Sequence, residues 1–133
     1  MKGPLMATML LAAGAQAASA ETRLDAAQMD GLLTGNTVYI SIPPGAPGMP
    51  DGGIAPFKFG GNGSAAAKLP TGLTLVGTWS LGDDRYCVDW ENGPKNSCTY
   101  LIKTEGSIAM YDPDGTAERG MIERIVPGNP EGL

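Results

Sequence analysis

Two cysteines, Cys87 and Cys98, offer the most distinctive chemistry in this sequence. They are the only cysteines in a 133-residue chain that has no histidine, and ten residues separate them. Redox catalysts usually carry two cysteines separated by two residues, one of them at a helix N-terminus, and zinc usually takes four cysteine or histidine ligands. The spacing therefore favours a structural disulfide. A labile or regulatory disulfide is the second interpretation, and a metal site is the third.

The segment between the two cysteines predicts a β-hairpin that brings them together. Asn92-Gly93 is a strong hairpin turn signal, but Pro94 has no N–H group with which to close a two-residue loop. We therefore predict a four-residue loop that ends at Pro94, with Trp90 opposite Lys95. In that register the two cysteines form a non-hydrogen-bonded pair with Cα atoms about 4.5 Å apart, a distance that a disulfide can bridge.

No other group of residues forms a catalytic or metal-binding pattern. A chain without histidine has no Ser-His or Cys-His nucleophile pair. Adjacent carboxylates such as Asp83-Asp84 are typical of solvated turns, because nothing in the sequence fixes them across a cleft. Asp112, Asp114 and Glu118 lack the spacing of an EF-hand calcium loop. We therefore expect no enzymatic activity, no cofactor and no bound metal.

Residues 1–20 have the pattern of a secretory signal peptide. Lys2 precedes an apolar stretch, and the small residues Ala-Ser-Ala end the segment at Ala20. A membrane-spanning helix needs about 20 apolar residues, whereas this stretch is shorter and is broken by Gly14. The pattern predicts an exported protein, periplasmic or secreted, with no membrane span. An oxidising compartment of that kind permits a disulfide.

The remaining chain has the size of one small domain. Removing 20 residues from 133 leaves 113, which we divide into a β-barrel domain over 21–126 and a flexible C-terminal tail over 127–133. The net charge is −5 for the whole chain and about −6 without Lys2. Because nucleic-acid affinity depends on basic side chains that neutralise phosphates, we expect no nucleic-acid partner. We also expect a monomer.

The hydrophobic pattern changes from helical to strand-like near Asn36. Apolar residues from Leu24 to Leu33 recur at helical spacing, which predicts one short N-terminal helix of about ten residues. Eight later segments have strand character and are separated by turn signals. These segments are 37–42, 54–59, 64–69, 74–81, 84–90, 97–103, 107–112 and 118–126. We predict a mainly β fold, a small antiparallel β-barrel or sandwich of meander topology, with the helix covering one end.

Candidate binding residues lie on the predicted strands and in one long loop. The stretch 43–53 is rich in proline and glycine, which predicts an exposed, extended and mobile loop that presents Met49. Aromatic residues at predicted strand positions line either a binding pocket or the core itself. These residues are Trp79, Tyr86, Trp90 and Tyr100. The core is favoured for Trp79, which alternates with Leu75, while both interpretations stay open for Trp90.

Four short motifs lie along the predicted domain. They are Asn36-Thr37 after a short helix, Gly77-Thr78-Trp79, Tyr86-Cys87 with Trp90, and Cys98-Thr99-Tyr100. Together they resemble the motifs of a group of small exported alphaproteobacterial proteins, which are lipocalin-like β-barrels of unknown function, and the resemblance covers roughly residues 24 to 112. The resemblance implies a barrel fold and export, and it implies no catalytic residues.

Two functional hypotheses follow. The first is a non-enzymatic binding or interaction module of the cell envelope, whose partner is a small apolar ligand or an envelope protein. The second comes from the strand motif Gly77-Thr78-Trp79, which is similar to one in the periplasmic inhibitors of secreted metalloproteases. Those inhibitors are small disulfide-braced barrels that insert an N-terminal segment into the protease cleft. In this chain the similarity implies that residues 21–24 would be inserted.

Overall fold

A computed structural model describes residues 22–46, 48–113 and 118–133, so the signal peptide predicted over 1–20 lies outside the described residues. Within these residues, one helix and nine strands follow one another. Their bounds are β1 Thr22–Arg23, α1 Ala26–Leu33, β2 Asn36–Ile42, β3 Gly53–Phe59, β4 Ser64–Lys68, β5 Thr74–Leu81, β6 Tyr86–Trp90, β7 Ser97–Thr104, β8 Ser107–Tyr111 and β9 Glu118–Pro127. The eight predicted strands and the predicted helix are all present, and no strand end differs from its predicted position by more than two residues.

Strands β2 to β9 form a closed antiparallel barrel. Each strand pairs with the next one along the chain, and β9 pairs with β2 to close the ring. The mainly β prediction is therefore confirmed, and the barrel alternative is the correct one. Closure leaves the eight strands without a free edge along most of their length. The helix in the described part of the chain is too short to cross a lipid bilayer.

The helix covers one end of the barrel, which we call the helix end. Asp25 caps α1 by accepting a hydrogen bond from the Gln28 N–H, and the Gln28 side chain accepts one from the Asp25 N–H. This reciprocal capping box begins the helix. Met29 and Leu33 on α1 are buried in the same apolar core as the barrel residues. The other end, which holds the loops 43–52, 69–73 and 91–96, is called the loop end.

A disulfide joins β6 to β7. Cys87 lies directly opposite Cys98 in the antiparallel register, and their Cα atoms are 3.9 Å apart. The predicted cysteine pairing and hairpin register are therefore confirmed. The side chains of both residues are half-buried on the outside of the barrel, because their neighbours Tyr86 and Thr99 face inward. The disulfide thus braces the wall of the barrel from the outside.

The hairpin loop is longer than the predicted four residues. Ladder pairing of β6 with β7 ends at Val88 opposite Ser97. The Trp90 N–H donates to the Pro94 carbonyl at 3.2 Å, so Trp90 does not form the predicted closing pair with Lys95. Instead, the Lys95 ammonium group donates to the Trp90 carbonyl at 2.6 Å. A side-chain hydrogen bond has replaced the main-chain pair that the turn pattern predicted.

The proline- and glycine-rich loop is exposed at most of its described residues, as predicted, but it is folded and not extended, and its Met49 is buried. Met49 is only 3% exposed and belongs to the apolar core. The Gly45 N–H donates to the Pro50 carbonyl at 3.1 Å, and the Met49 N–H donates to the Ala46 carbonyl at 2.9 Å. These turns reverse the chain because Gly45 has φ 98°, a left-handed conformation that glycine adopts readily. The loop therefore folds over the loop end and inserts Met49 into the barrel.

The segment after β9, which the sequence suggests is a flexible tail, is tied to the barrel wall. The Gly128 N–H donates to the Gly35 carbonyl at 3.0 Å, and the Thr37 hydroxyl donates to the Gly128 carbonyl at 2.7 Å. Further along, the Tyr39 hydroxyl donates to the Glu131 carboxylate. The tail thus packs beside β2 at the helix end.

Candidate functional site

The barrel interior contains a cavity of about 380 Å³ that opens at the loop end. We call it the barrel cavity. Apolar side chains from the strands form most of its wall, and the folded 43–52 loop and the 91–96 loop form its rim. Its lining residues include Ile40, Ile42, Met49, Phe57, Leu69, Leu75, Tyr86, Val88, Trp90, Met110 and Arg119. The strands alternate inward and outward residues, so every second residue of β6 contributes to the wall.

Three of the five predicted binding residues lie together on the barrel cavity. Tyr86 and Trp90 project inward from β6, and Met49 reaches the same space from the folded loop. The Trp90 ring contacts Phe57 edge to face, with ring centroids 6.1 Å apart. Offset and edge-to-face contacts are the favoured arrangements of aromatic rings. Phe57, which the sequence analysis did not select, is therefore part of the same aromatic wall.

Trp79 lies below the barrel cavity, at the helix end. Its indole N–H donates to the Gly60 carbonyl at 2.9 Å, and its ring packs edge to face on Phe59 with centroids 5.2 Å apart. Phe59 in turn contacts the Tyr86 ring at 5.4 Å. This aromatic cluster of Phe59, Trp79 and Tyr86 closes the floor of the cavity. Phe59 could have been found from its position on the same face of β3 as Phe57.

Tyr100 lies on the outside of the barrel, away from the cavity. Its ring stacks on Tyr111 with centroids 6.0 Å apart, and the Arg23 guanidinium covers its other side 3.5 Å from the ring centre. Arg23 is held in place by a salt bridge of 3.0 Å to Asp84. These contacts leave Tyr100 only 6% exposed. The residue anchors β1 to the barrel wall through a cation–π contact.

One side of the barrel cavity carries polar groups. Tyr86 is 5% exposed, and burial raises the pKa of its hydroxyl to about 12. Thr99 lies opposite Tyr86 in the register and forms a hydrogen bond with that hydroxyl, which lowers the pKa of Tyr86. The nearby positive charge of Arg119 also lowers this pKa. Ser97 lies two residues before Thr99 and faces the same space. Hydroxyl groups thus form a polar strip from the floor to the rim.

Arg119 continues the polar strip at the cavity mouth. Met110 pairs with Gly120 and Tyr111 pairs with Glu118, which leaves Arg119 as an extra residue in β9. Such a β-bulge redirects a side chain, and bulges are common at barrel rims and binding sites. The redirected guanidinium donates from Nη1 to the Cys98 carbonyl at 2.9 Å and to the Thr99 hydroxyl at 3.0 Å. No sequence pattern predicts this bulge.

Comparisons with protein-family models, with curated proteins and with solved structures find no match. The chemistry of the site is therefore interpreted from its geometry. No group of three or more cysteine, aspartate or glutamate side chains within 22–46, 48–113 and 118–133 is arranged to hold a metal ion. A second depression of about 370 Å³ beside Cys87 is lined largely by polar residues such as Thr78, Ser80 and Asp89. The barrel cavity is the one whose lining suits an apolar molecule.

Tyr86 is expected to make stability depend on pH in alkaline solution. Its pKa is higher in the folded protein than the ordinary 10.0, so its contribution is present below pH 10 and is lost as the pH rises towards about 12. Because the unfolded chain releases the proton first, we expect the free energy of unfolding to fall by about 1.4 kcal/mol per pH unit in that window. Urea denaturation at a series of pH values across the window measures the slope.

The matched variants are Tyr86→Phe and Tyr111→Phe. Tyr86→Phe lacks this buried phenolic hydroxyl, and its stability should therefore change less steeply with pH than that of the parent protein. Tyr111 lies outside the barrel, and Tyr111→Phe should keep the parent slope. Equal slopes for the parent and Tyr86→Phe would contradict the prediction.

Proposed function

We propose that this protein is an exported binding protein of the cell envelope that holds a small apolar molecule in its barrel cavity. The observation that carries the proposal is the cavity of about 380 Å³, which lies inside a closed barrel and opens at one end. Binding sites for small molecules are usually preformed apolar cavities of about 300–1,000 Å³ with a few polar groups. The barrel cavity has this combination of size and lining.

The two ends of the barrel support a binding role in different ways. At the helix end, Phe59 and the helix residues Met29 and Leu33 are buried in the apolar core. At the loop end, the side chains leave the barrel cavity of about 380 Å³. Protein interiors are normally packed without voids of this size. An apolar ligand would complete the packing at the loop end and bury the exposed wall.

Export is supported by the sequence of residues 1–20 and by the disulfide. The disulfide joins two outward-facing, half-buried residues of the barrel wall. Disulfides of this kind persist in oxidising compartments and are rare where thiols are kept reduced. The resemblance to small exported lipocalin-like barrel proteins agrees with the same location. We propose the periplasm or the extracellular medium as the site of action, and a monomer as the active form.

The alternative, a protease inhibitor that inserts its N-terminal segment, has less support. Thr22 and Arg23 pair with Lys103 and Ile102 of β7, and the Leu24 N–H donates to the Leu101 carbonyl at 3.0 Å. Leu24 is 2% exposed. An inserting segment would have to break these contacts and expose Leu24. The proposal of a ligand carrier needs no such rearrangement.

A binding titration with a neutral apolar dye tests the proposed function. The protein is recovered from the exporting cell, where its mass should be that of a chain beginning at Glu21, and is titrated with N-phenyl-1-naphthylamine. We expect saturable binding at one site. Val88→Phe should weaken the binding by about tenfold or more, because the larger side chain fills the cavity that Val88 lines.

Val76→Phe is the matched control. Val76 is an outward-facing residue of the neighbouring strand β5 and does not line the cavity. The same substitution there should leave dye affinity within about twofold of the parent value. Circular dichroism and urea denaturation check that both variants are folded. Absence of saturable binding, or equal weakening by both substitutions, would overturn the proposal.

A further inference from the structure

We propose that the molecule held in the barrel cavity has an anionic head group, and that Arg119 binds this group at the mouth while the apolar tail fills the interior. A carboxylate is the simplest such head group, and a phosphate ester is the other. The inference rests on the proposed function, because it names the class of ligand for the same cavity. This class of ligand consists of single-chain amphiphiles with one charged end.

The position of Arg119 is the first argument. The bulge in β9 turns its side chain towards the start of β7, where Nη1 donates to the Cys98 carbonyl at 2.9 Å and lies 3.0 Å from the Thr99 hydroxyl. The Ser97 hydroxyl is a more distant third partner at 3.4 Å. Contacts on a single nitrogen hold the planar group at the mouth. Its position is therefore set before any ligand arrives.

The unused donors of Arg119 are the second argument. A guanidinium has five N–H donors in a planar fork that matches a carboxylate or a phosphate in bidentate geometry. Within 22–46, 48–113 and 118–133, the acceptors of Arg119 all contact Nη1, and its side chain forms no salt bridge. Among the described residues, Nε and Nη2 thus have no acceptor, and we expect them to bind the oxyanion. The Ser97 hydroxyl lies 3.4 Å from Nη1, and its own proton is a further donor.

The charges at the mouth are the third argument. Among the described residues, Glu118 and Arg119 are the charged ones that line the cavity. The Glu118 carboxylate makes no hydrogen bond or salt bridge with any other residue in the described segments. Arg119 is fixed, because the Cys98 carbonyl and the hydroxyl oxygens of Ser97 and Thr99 accept hydrogen bonds from its Nη1. The remaining N–H groups of a positioned guanidinium recognise an acceptor, which favours an anion over a cation. The negative charge of Glu118 is then expected to weaken anion binding.

The shape of the cavity is the fourth argument. Below the mouth, the described lining carries no charged side chain. The polar strip continues there as neutral hydroxyl groups on one side, and apolar side chains such as Val88, Leu75 and Ile40 form the rest of the wall. The floor is closed by the buried ring of Phe59. A ligand with one charged end and one apolar chain satisfies both regions. A ligand charged at both ends would bury one charge without a partner, which is strongly unfavourable in an apolar site.

Displacement of N-phenyl-1-naphthylamine by three ten-carbon amphiphiles tests the inference. Decanoate and decyl phosphate have anionic head groups, and decanol has a neutral one on the same chain. We expect at least one of the two anions to bind about tenfold or more tightly than decanol, because charge-assisted hydrogen bonds are stronger than neutral ones. The tighter of the two anions identifies the head group.

Arg119→Gln should remove the preference of the parent protein for the anion and leave decanol affinity within about twofold of the parent value. Arg124→Gln is the matched control, because Arg124 lies on the same strand with its guanidinium 3.9 Å from the Tyr39 ring centre. It should keep the preference for the anion. Glu118→Gln should tighten the binding of the anion. Trp90 fluorescence in a Trp79→Phe background reports binding directly, since Trp90 alone of the two tryptophans lines the cavity.

The outcomes separate this inference from the proposed function. If the dye binds and decanol displaces it as well as both anions do, the cavity binds apolar molecules and the inference is wrong. If Arg119→Gln weakens decanol and the anion equally, Arg119 has only a structural role at the rim, which also overturns the inference. If the dye does not bind to the parent protein at all, it is the proposed function that fails.

Discussion

Phe59→Ala is expected to lower the free energy of unfolding by about 3–5 kcal/mol, the range measured for aromatic residues removed from protein cores. Phe59 is 1% exposed and is the largest of the fully buried side chains. It contacts both Trp79 and Tyr86 edge to face. Truncation therefore removes two aromatic contacts as well as the buried area of the ring. Urea denaturation of the parent and variant measures the difference.

The loss should also change ligand binding, because Phe59 separates the barrel cavity from the helix end. Without the ring, the floor beneath Tyr86 opens and the cavity deepens towards Trp79. We expect the affinity for longer apolar molecules, relative to that for N-phenyl-1-naphthylamine, to be higher in the variant than in the parent protein. A stability loss with an unchanged cavity would indicate that neighbouring side chains move to fill the space.

Phe57→Ala is the comparison variant, since the chain contains only these two phenylalanines. Phe57 is half-buried on the same face of β3 and faces the open part of the cavity. It should lose less stability than Phe59→Ala, because part of its ring already contacts unoccupied space. A loss for Phe57→Ala equal to or larger than that for Phe59→Ala would contradict this account of the floor.

Much of the fold could be predicted from the sequence because its signals are local. Alternating apolar residues and glycine-rich turns marked the eight strands, and the short connections imposed a meander. The hairpin register followed from Asn92, Gly93 and Pro94, and it placed Cys87 opposite Cys98 as observed. The same register also contained information about Tyr100. It pairs Tyr86 with Thr99, so the next residue, Tyr100, has to face outward.

The rest of the site depends on contacts between distant parts of the chain. Met49 is buried because a loop with glycines in left-handed conformations folds back onto the barrel, where Gly48 comes close to Leu69. Arg119 faces the mouth because β8 and β9 shift register by one residue. Neither loop folding nor a register shift leaves a local pattern. Composition indicated that the 43–53 stretch is a loop but did not indicate where Met49 would lie.

Removal of the disulfide is expected to destabilise the protein by about 2–3 kcal/mol. The cross-link lowers the conformational entropy of the unfolded chain, so its removal makes unfolding more favourable. Cys87 and Cys98 are 11 positions apart in sequence and join β6 to β7. The double variant Cys87→Ala/Cys98→Ala removes the bridge and leaves no free thiol. Urea denaturation of the double variant and of the parent, with and without reductant, measures the loss.

The same substitution is expected to weaken ligand binding, because the bridged residues lie next to the polar strip. Ladder pairing between β6 and β7 consists of three residue pairs, and the disulfide is the middle one. The Cys98 carbonyl is also the shortest contact of Arg119. Loss of the bridge lets β7 move relative to β6, so Arg119 would lose its fixed position while its side chain is unchanged.

The reduced parent protein is the control, because it keeps both cysteines and lacks only the bond. It should match the double variant in stability and in its affinity for the ten-carbon anions. The binding of decanol should change less, since decanol does not depend on the position of Arg119. A stability loss well below 2 kcal/mol, or free thiols in protein recovered from the exporting cell, would contradict a structural role for the bridge. In that case the labile or regulatory disulfide would be the better interpretation of this cysteine pair.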